Sequence, residues 1–164
     1  MRFLTRLLVG PVEEAVRVLL VEHPELLDRP NSLYRHRVHG DPARLHIDPT
    51  AVVNDALFNL SSGEVTVERH AFFGHGVSVL TGTHDLTKFG PDRQAAIPRA
   101  GRDVRVGEGA WLASHVIVLG PCVIGEHAVV AAGSLVLDDV PACTVVAGRP
   151  AKPVRTLDKR GLDA

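Results

Sequence analysis

The feature that most restricts how this chain can fold is a six-residue step in its apolar residues. Ile47, Val53, Val67, Phe73 and Val79 carry the step in the first half, and Val106, Leu112, Val118, Ile124, Val130 and Val136 resume it after a gap. Four residues after each stands a small or β-branched side chain: Ala51, Ala71, Val77, Thr83, Ala110, Val116, Cys122, Ala128, Ser134 and Val140, with Leu57 as the exception. Such a step fits neither the roughly 3.6-residue period of a helix nor the simple alternation of a half-buried strand. A hexapeptide repeat specifies a parallel β-helix. Each unit makes a short strand and a turn, and three units close one coil of a triangular prism. Successive coils then bond at the ordinary strand spacing of about 4.8 Å. The first position points inward and must be apolar; the fifth lies near a corner, where a small side chain fits. Gly74, Gly107, Gly109, Gly125 and Gly133 fall between these positions, where turns need permissive dihedrals.

Composition agrees with a narrow interior. Hydrophobic residues make up 45% of the chain but aromatics only 4%, with a single Trp, so Val, Ile, Leu and Ala must fill the core. A length of 164 residues suits one domain with a small appendage. The net charge is −1 and no Lys/Arg run stands out, which argues against nucleic acid as the main partner. Cys122 and Cys143 match no metal or redox spacing, and a reducing compartment is the easier assignment. The N-terminal stretch is interrupted by Arg6, Glu13 and Glu14 and makes a poor signal peptide. Nothing approaches the roughly 20 apolar residues of a membrane span. A soluble, cytoplasmic protein is expected.

Residues 12–22 predict a short helix. Pro11 suits its first turn, Glu13 and Glu14 complement the dipole, and Pro24 ends it. Val12, Val16, Leu19 and Leu20 form its apolar face. Residues 29–44 are polar and turn-rich and predict a connector. The expected organisation is therefore an N-terminal helix and connector over 1–44, a coil over 45–149 with a protruding loop at 85–103, and a tail over 150–164.

The stretch "VRVGEGAWLASHVIVLGPCVIGEHAVVAAGSLVLDDVPACTVVAGRPAKPVR", Val104 to Arg155, resembles the C-terminal half of the hexapeptide-repeat acetyltransferases. The similar branch holds the maltose, galactoside and nodulation-factor O-acetyltransferases and the lipopolysaccharide-type sugar acetyltransferases. The likeness extends over roughly residues 45 to 155. It implies a left-handed coil, which periodicity alone does not give, since left-handed crossovers are rare. It also implies a homotrimer with active sites between subunits and acetyl-CoA as co-substrate, with no metal.

The break in the repeat falls at "TGTHD", and the resemblance implies that His84 in it is the catalytic base. The chemistry suits an imidazole, which titrates near neutral pH and can take the proton of an attacking hydroxyl. Asp85 either orients the acceptor or the imidazole, or caps a turn. The resemblance places Asn59 on the acceptor side, and Trp111, Ser114, Ala132, Lys152 and Arg155 along coenzyme A. Leu137 and Asp138 depart from it, standing where the family often has Thr-Lys. His70 and His127 predict exposed turn positions, while His75 and His115 are weaker candidates for lining the site. The loop at 85–103 is longer than about 12–15 residues, a length at which loops are usually functional or disordered, and the resemblance implies that it is an acceptor-side arm.

The leading expectation is thus an acetyl-CoA-dependent O-acetyltransferase acting on a sugar or similar small acceptor by direct attack. Four alternatives stay open: N-acetylation of an amino sugar or drug, a γ-class carbonic-anhydrase-like metalloenzyme using His70, His75 and His84, a non-catalytic scaffold, and a serine acetyltransferase. The last lacks room in its first 44 residues for the long helical domain of that group.

Overall fold

The computed structural model describes residues 14, 15, 17–19, 21, 22 and 35–158. The chain forms two compact units, 1–33 and 34–164. In the first, the described residues between 14 and 22 are helical, as the Pro and Glu placement predicts. Val12, Val16 and Leu20 of the expected apolar face lie outside the described residues.

Among its described residues the second unit contains fourteen strands, the helix α1 (Gly90–Ala95) and a 3-10 turn at Pro42–Arg44. The strands are β1 (Arg37–His39), β2 (Leu45–Ile47), β3 (Leu57–Asn59), β4 (Val65–Val67), β5 (Phe72–Phe73), β6 (Ser78–Leu80) and β7 (Val104–Val106). Then follow β8 (Trp111–Leu112), β9 (Ile117–Leu119), β10 (Cys122–Ile124), β11 (Val129–Val130), β12 (Leu135–Val136), β13 (Thr144–Ala147) and β14 (Lys152–Thr156). From β3 to β12 they visit three sheets in rotation: sheet I is β1-β3-β6-β9-β12, sheet II is β10-β7-β4-β2, and sheet III is β14-β13-β11-β8-β5. All neighbours are parallel except β13 and β14. The hexapeptide step therefore becomes a coil of three parallel sheets.

Inward positions stack by register. Phe58, Val79, Val118 and Val136 line sheet I. Val67, Val106 and Ile124 line sheet II. Phe73, Leu112, Val130 and Val146 line sheet III. All are buried. The Leu57 exception has a simple cause. The turn from Val53 is one residue short, residues 53–56 standing where 73–77 stand one coil on. Ala56 takes the buried corner, and Phe58 falls opposite Val79.

Two boundaries differ from the sequence-based expectation. The coil starts before residue 45, because β1 pairs with β3 at Arg37–His39 while Val38 packs on the core. The polar flanks Arg37 and His39 face out of the first rung and disguise it as a connector. At the other end, Lys152–Thr156 is an antiparallel strand on β13 rather than a tail.

The glycines serve two purposes. At Gly109 φ is +61°, a value side chains rarely adopt, and the ring of His127 lies directly over it. At Gly74 a Cβ would come within 2.5 Å of the Ser114 amide nitrogen, so the coils there stack backbone to backbone. Extra chain length between β strands of sheet I and sheet II is confined to one corner. Residues 60–64 bulge there, residues 81–103 make the long excursion, and the next coil turns tightly at Gly120–Pro121.

Cys122 is buried, and desolvation pushes its thiol up to about 12. Only thiolates are good nucleophiles, so iodoacetamide at about pH 8 should leave Cys122 unmodified in the folded protein and label it in urea. Linkage fixes the sign with pH. The unfolded chain ionises this thiol near its ordinary value and the folded chain does not. Stability contributed here therefore falls as pH rises above that value, levelling off near the folded one. No helix among the described residues is long and apolar enough to cross a membrane.

Candidate active site

The excursion corner is built on buried polar bonds. Thr81 donates its amide to Asn59 O at 2.9 Å and its hydroxyl to the same oxygen at 2.8 Å. Ser62 N donates to Thr81 Oγ1 at 3.2 Å, and Thr83 N donates to Ser62 Oγ at 3.3 Å. Arg102 closes the far end of the loop, with Nε on Thr81 O at 3.0 Å and its amide on Ser62 O at 3.2 Å. Ser62 and Thr81 are fully buried; the Thr83 amide meets the Ser62 hydroxyl, and the Thr81 hydroxyl accepts from the Ser62 amide while donating to Asn59 O. Gly82 lacks a side chain because Asn59's amide lies against it; a Cβ would sit 2.6 Å from Nδ2. Asn59 Oδ1 also accepts from Ser61 N at 3.0 Å. Sequence reasoning singled out Asn59 here but missed Ser62, Thr81 and Arg102. The available signal was the polar residues themselves, in a repeat otherwise built from Val, Leu and Ala.

This scaffold delivers His84 to the surface. Its Nδ1 lies 2.9 Å from the carbonyl oxygen of Arg93 in α1. A carbonyl can only accept, so in the neutral ring Nδ1 carries the hydrogen and Nε2 carries the lone pair. Nε2 has no partner among the described residues and is free to take a proton.

Asp85 does not share that task within the chain. Its Oδ1 accepts from the Thr87 amide at 3.0 Å and hydroxyl at 2.6 Å, and Oδ2 lies 3.9 Å from Lys88 Nζ. The Thr87 bonds hold its carboxyl below the usual range. Of the two roles the sequence leaves open, the geometry displays the turn cap. The Asp85 amide also donates to Ala96 O at 2.9 Å, which closes the base of the arm. One rung from His84, a recess of ≈ 430 Å³ is lined by His39, Asp41, Arg44, Ser61, Ile97 and Arg99. Arg44 pins the arm over it through Leu60 O at 3.0 Å and Arg99 O at 2.6 Å.

A second depression, ≈ 560 Å³, runs along sheet III. Its walls include Trp111, Ser114, Ala132 and Arg155, four of the five positions expected along coenzyme A. Trp111 stacks on Phe72 at 5.6 Å and 12°. Ala113, Ala131 and Gly74 put little side chain into the groove. Lys152, the fifth, is drawn aside: its Nζ lies 3.7 Å from Asp138 Oδ2, so the Asp138 departure and the Lys152 position answer each other. A larger concavity of ≈ 810 Å³ beside sheet II is less suited to chemistry. Its charges neutralise one another, Glu68 with Arg105 and Arg69 with Glu108 at 2.7 Å.

His84 and the groove stand at opposite ends of the sheet I strands. The groove's edge at Gly74 precedes β6, and His84 follows it. One copy of the chain does not bring them together. The other histidines have local duties. His70 is an exposed turn residue at φ +59°, while His115 at φ +61° and His127 at φ +54° cover Gly76 and Gly109. His75 pairs with Asp55 at 3.2 Å. His70, His75 and His84 occupy three different corners, and no group of three potential metal ligands converges among the described residues.

A family model described as "Bacterial transferase hexapeptide (six repeats)" matches residues 103–138. The chain is 38% identical over 116 residues to serine acetyltransferase 2 of Arabidopsis thaliana, covering 71% of this chain and 34% of that protein. It thus spans about a third of that relative's length. Among solved structures, a maltose O-acetyltransferase from Clostridium difficile 630 superposes with a TM-score of 0.51 at 21% identity, over 76% of this chain and 67% of that one. The N-acyltransferase AntD from Bacillus cereus, bound to dTDP-4-amino-4,6-dideoxyglucose and coenzyme A, gives a TM-score of 0.62 at 14% identity, over 78% and 81%. At these identities the two structures establish a shared fold.

Proposed function

The chain carries the hexapeptide repeat of the bacterial transferases, and from that premise we propose an acetyl-CoA-dependent O-acetyltransferase whose general base is His84. The observation that carries this is the exposed His84 ring, whose Nδ1 meets Arg93 O so that Nε2 keeps its lone pair. Nε2 takes the proton of an acceptor hydroxyl as that oxygen attacks the thioester carbon. The tetrahedral intermediate collapses, the C–S bond breaks, and the imidazolium returns the proton to the departing thiolate. Proton and charge balance without a covalent enzyme intermediate. The groove on sheet III fits the donor: its small side chains leave room for a slender thiol arm, and Arg155 at its wall offers a cation to phosphate. Asn59 and Asp85, with the recess under the arm, take the acceptor side.

The coil is left-handed and the working unit is a homotrimer. Outward residues support the second point. Sheet I turns out Leu57, Ile117 and Leu135, and sheet III turns out Val52, Phe72, Trp111, Val129 and Val145. Sheet II turns out His46, Thr66 and Arg105, with Val123 as its one apolar position. Two largely apolar faces, sheet I interrupted by Arg37 and Ser78, and one mostly polar face suit a subunit whose sheet I packs on sheet III of the next copy. That packing brings the base of one copy toward the groove of another.

The 38% identity to serine acetyltransferase 2 favours a second reading of the acceptor, the hydroxyl of a small amino acid. Thiol release from acetyl-CoA, measured across neutral sugars, amino sugars, nucleotide sugars and L-serine, decides between them. Release driven by a sugar hydroxyl supports the first reading, and release driven by L-serine alone replaces it. No release with any acceptor, together with no coenzyme A binding by calorimetry, overturns both.

A further inference from the structure

We propose that Arg93 is a positioning residue for the base: its side chain ties down the arm so that its own carbonyl stays fixed on Nδ1 of His84. The proposal rests on His84 being the general base. Arg93 Nε donates to Lys88 O at 2.6 Å, and an NH group of the same guanidinium donates to Leu86 O at 3.3 Å. The guanidinium carbon lies 4.7 Å from the centre of the Phe89 ring, a cation–π arrangement. One side chain thus grips three residues of the segment leading away from His84, while the same residue's carbonyl meets the imidazole.

Little else holds this part of the arm. Leu86 and Phe89 are each 75% exposed, so no apolar packing fixes their backbone. Helix α1 has six residues, no buried side chain and no side-chain cap at its N-terminus, which is too short to be stable alone. The remaining ties are the backbone bonds of the helix and its approach, Lys88 N to Asp85 O at 3.3 Å, Arg93 N to Phe89 O at 3.4 Å and Ala96 N to Asp92 O at 3.0 Å, and those at the base, where Asp85 caps the Thr87 turn and its amide bonds Ala96 O. Those ties set the ends of the arm, and the Ala96 amide also meets the Arg93 carbonyl, at a long 3.3 Å. The guanidinium adds the side-chain hold on the segment between His84 and that carbonyl. A carbonyl held there keeps hydrogen on Nδ1 and leaves Nε2 bare. Once it is released, the ring can turn, and the Nε2–H tautomer, useless as a base toward an outward hydroxyl, gains population.

The test compares wild type, Arg93→Met and Arg93→Lys. Ring ¹⁵N shifts of His84 report its tautomer, and steady-state kinetics separate kcat from KM. Arg93→Met should lose about tenfold in kcat with KM for acetyl-CoA unchanged, the range expected when a reacting group is slightly misplaced. Its His84 signal should move from a pure Nδ1–H pattern toward a mixture. Arg93→Lys, whose ammonium can still reach Lys88 O, should recover part of both effects. An unchanged His84 tautomer in Arg93→Met, or an unchanged kcat, overturns the proposal. His84→Ala is run alongside. Full activity there sinks the base assignment, while the ¹⁵N signal still reports independently whether Arg93 orients the ring.

Discussion

Replacing His84 by alanine should lower kcat by roughly 10²–10⁴-fold, the usual contribution of a positioned acid–base group. Coenzyme A binding measured by calorimetry should be unchanged, because the groove on sheet III shares no residue with the His84 corner. The melting temperature should also hold. His84 is exposed, and the bond its ring makes runs to an equally exposed arm. A structural histidine would behave the other way, with stability lost and the remaining folded protein still active.

Phe58→Ala should be the most damaging single change to the fold. Phe58 is fully buried, opposite Val79 in sheet I, with Phe73 across the prism at 6.2 Å between ring centres. Every other inward position of sheet I is a valine, so no neighbour is long enough to fill the space left behind. Phe-to-Ala changes at such sites cost about 3–5 kcal/mol. The midpoint of thermal unfolding should drop on the order of 10 °C. A drop of only a degree or two would mean that the coil end closes over the cavity. Phe72→Ala is the control. It is half-exposed on the outside of sheet III and should cost far less to a single chain.

The coil was legible in the sequence because its rule is local. One apolar position and one small position per six residues dictate a buried wall and a crowded corner, whatever lies elsewhere. Where the rule bends, local pattern misleads. Leu57 looks like a corner residue until register shows that the turn before it is one residue short and that Ala56 has taken the place. Arg37–His39 looks like a connector because an end rung needs only one inward residue, Val38. Lys152–Thr156 pairs antiparallel through its backbone, which leaves no apolar signature at all.

The site divides the same way. His84 and the groove residues could be singled out from the sequence because they sit in recognisable segments. The bond from His84 to the Arg93 carbonyl could not be seen, since backbone oxygens carry no sequence signal and the contact spans a helix inside the arm. The pairing of Lys152 with Asp138 is likewise invisible in one dimension, although together they explain why an acid stands where a lysine was expected.

The most direct test of the proposed working unit uses two crippled variants. His84→Ala removes the base, and Ala132→Trp blocks the groove; each should be nearly inactive alone. In trimers coexpressed from equal amounts of both, a site is intact when a copy with His84 faces a copy with an open groove. Random assembly makes about a quarter of the sites intact, so thiol release should recover to about a quarter of the wild-type rate. No recovery in mixed trimers would contradict a site shared between copies.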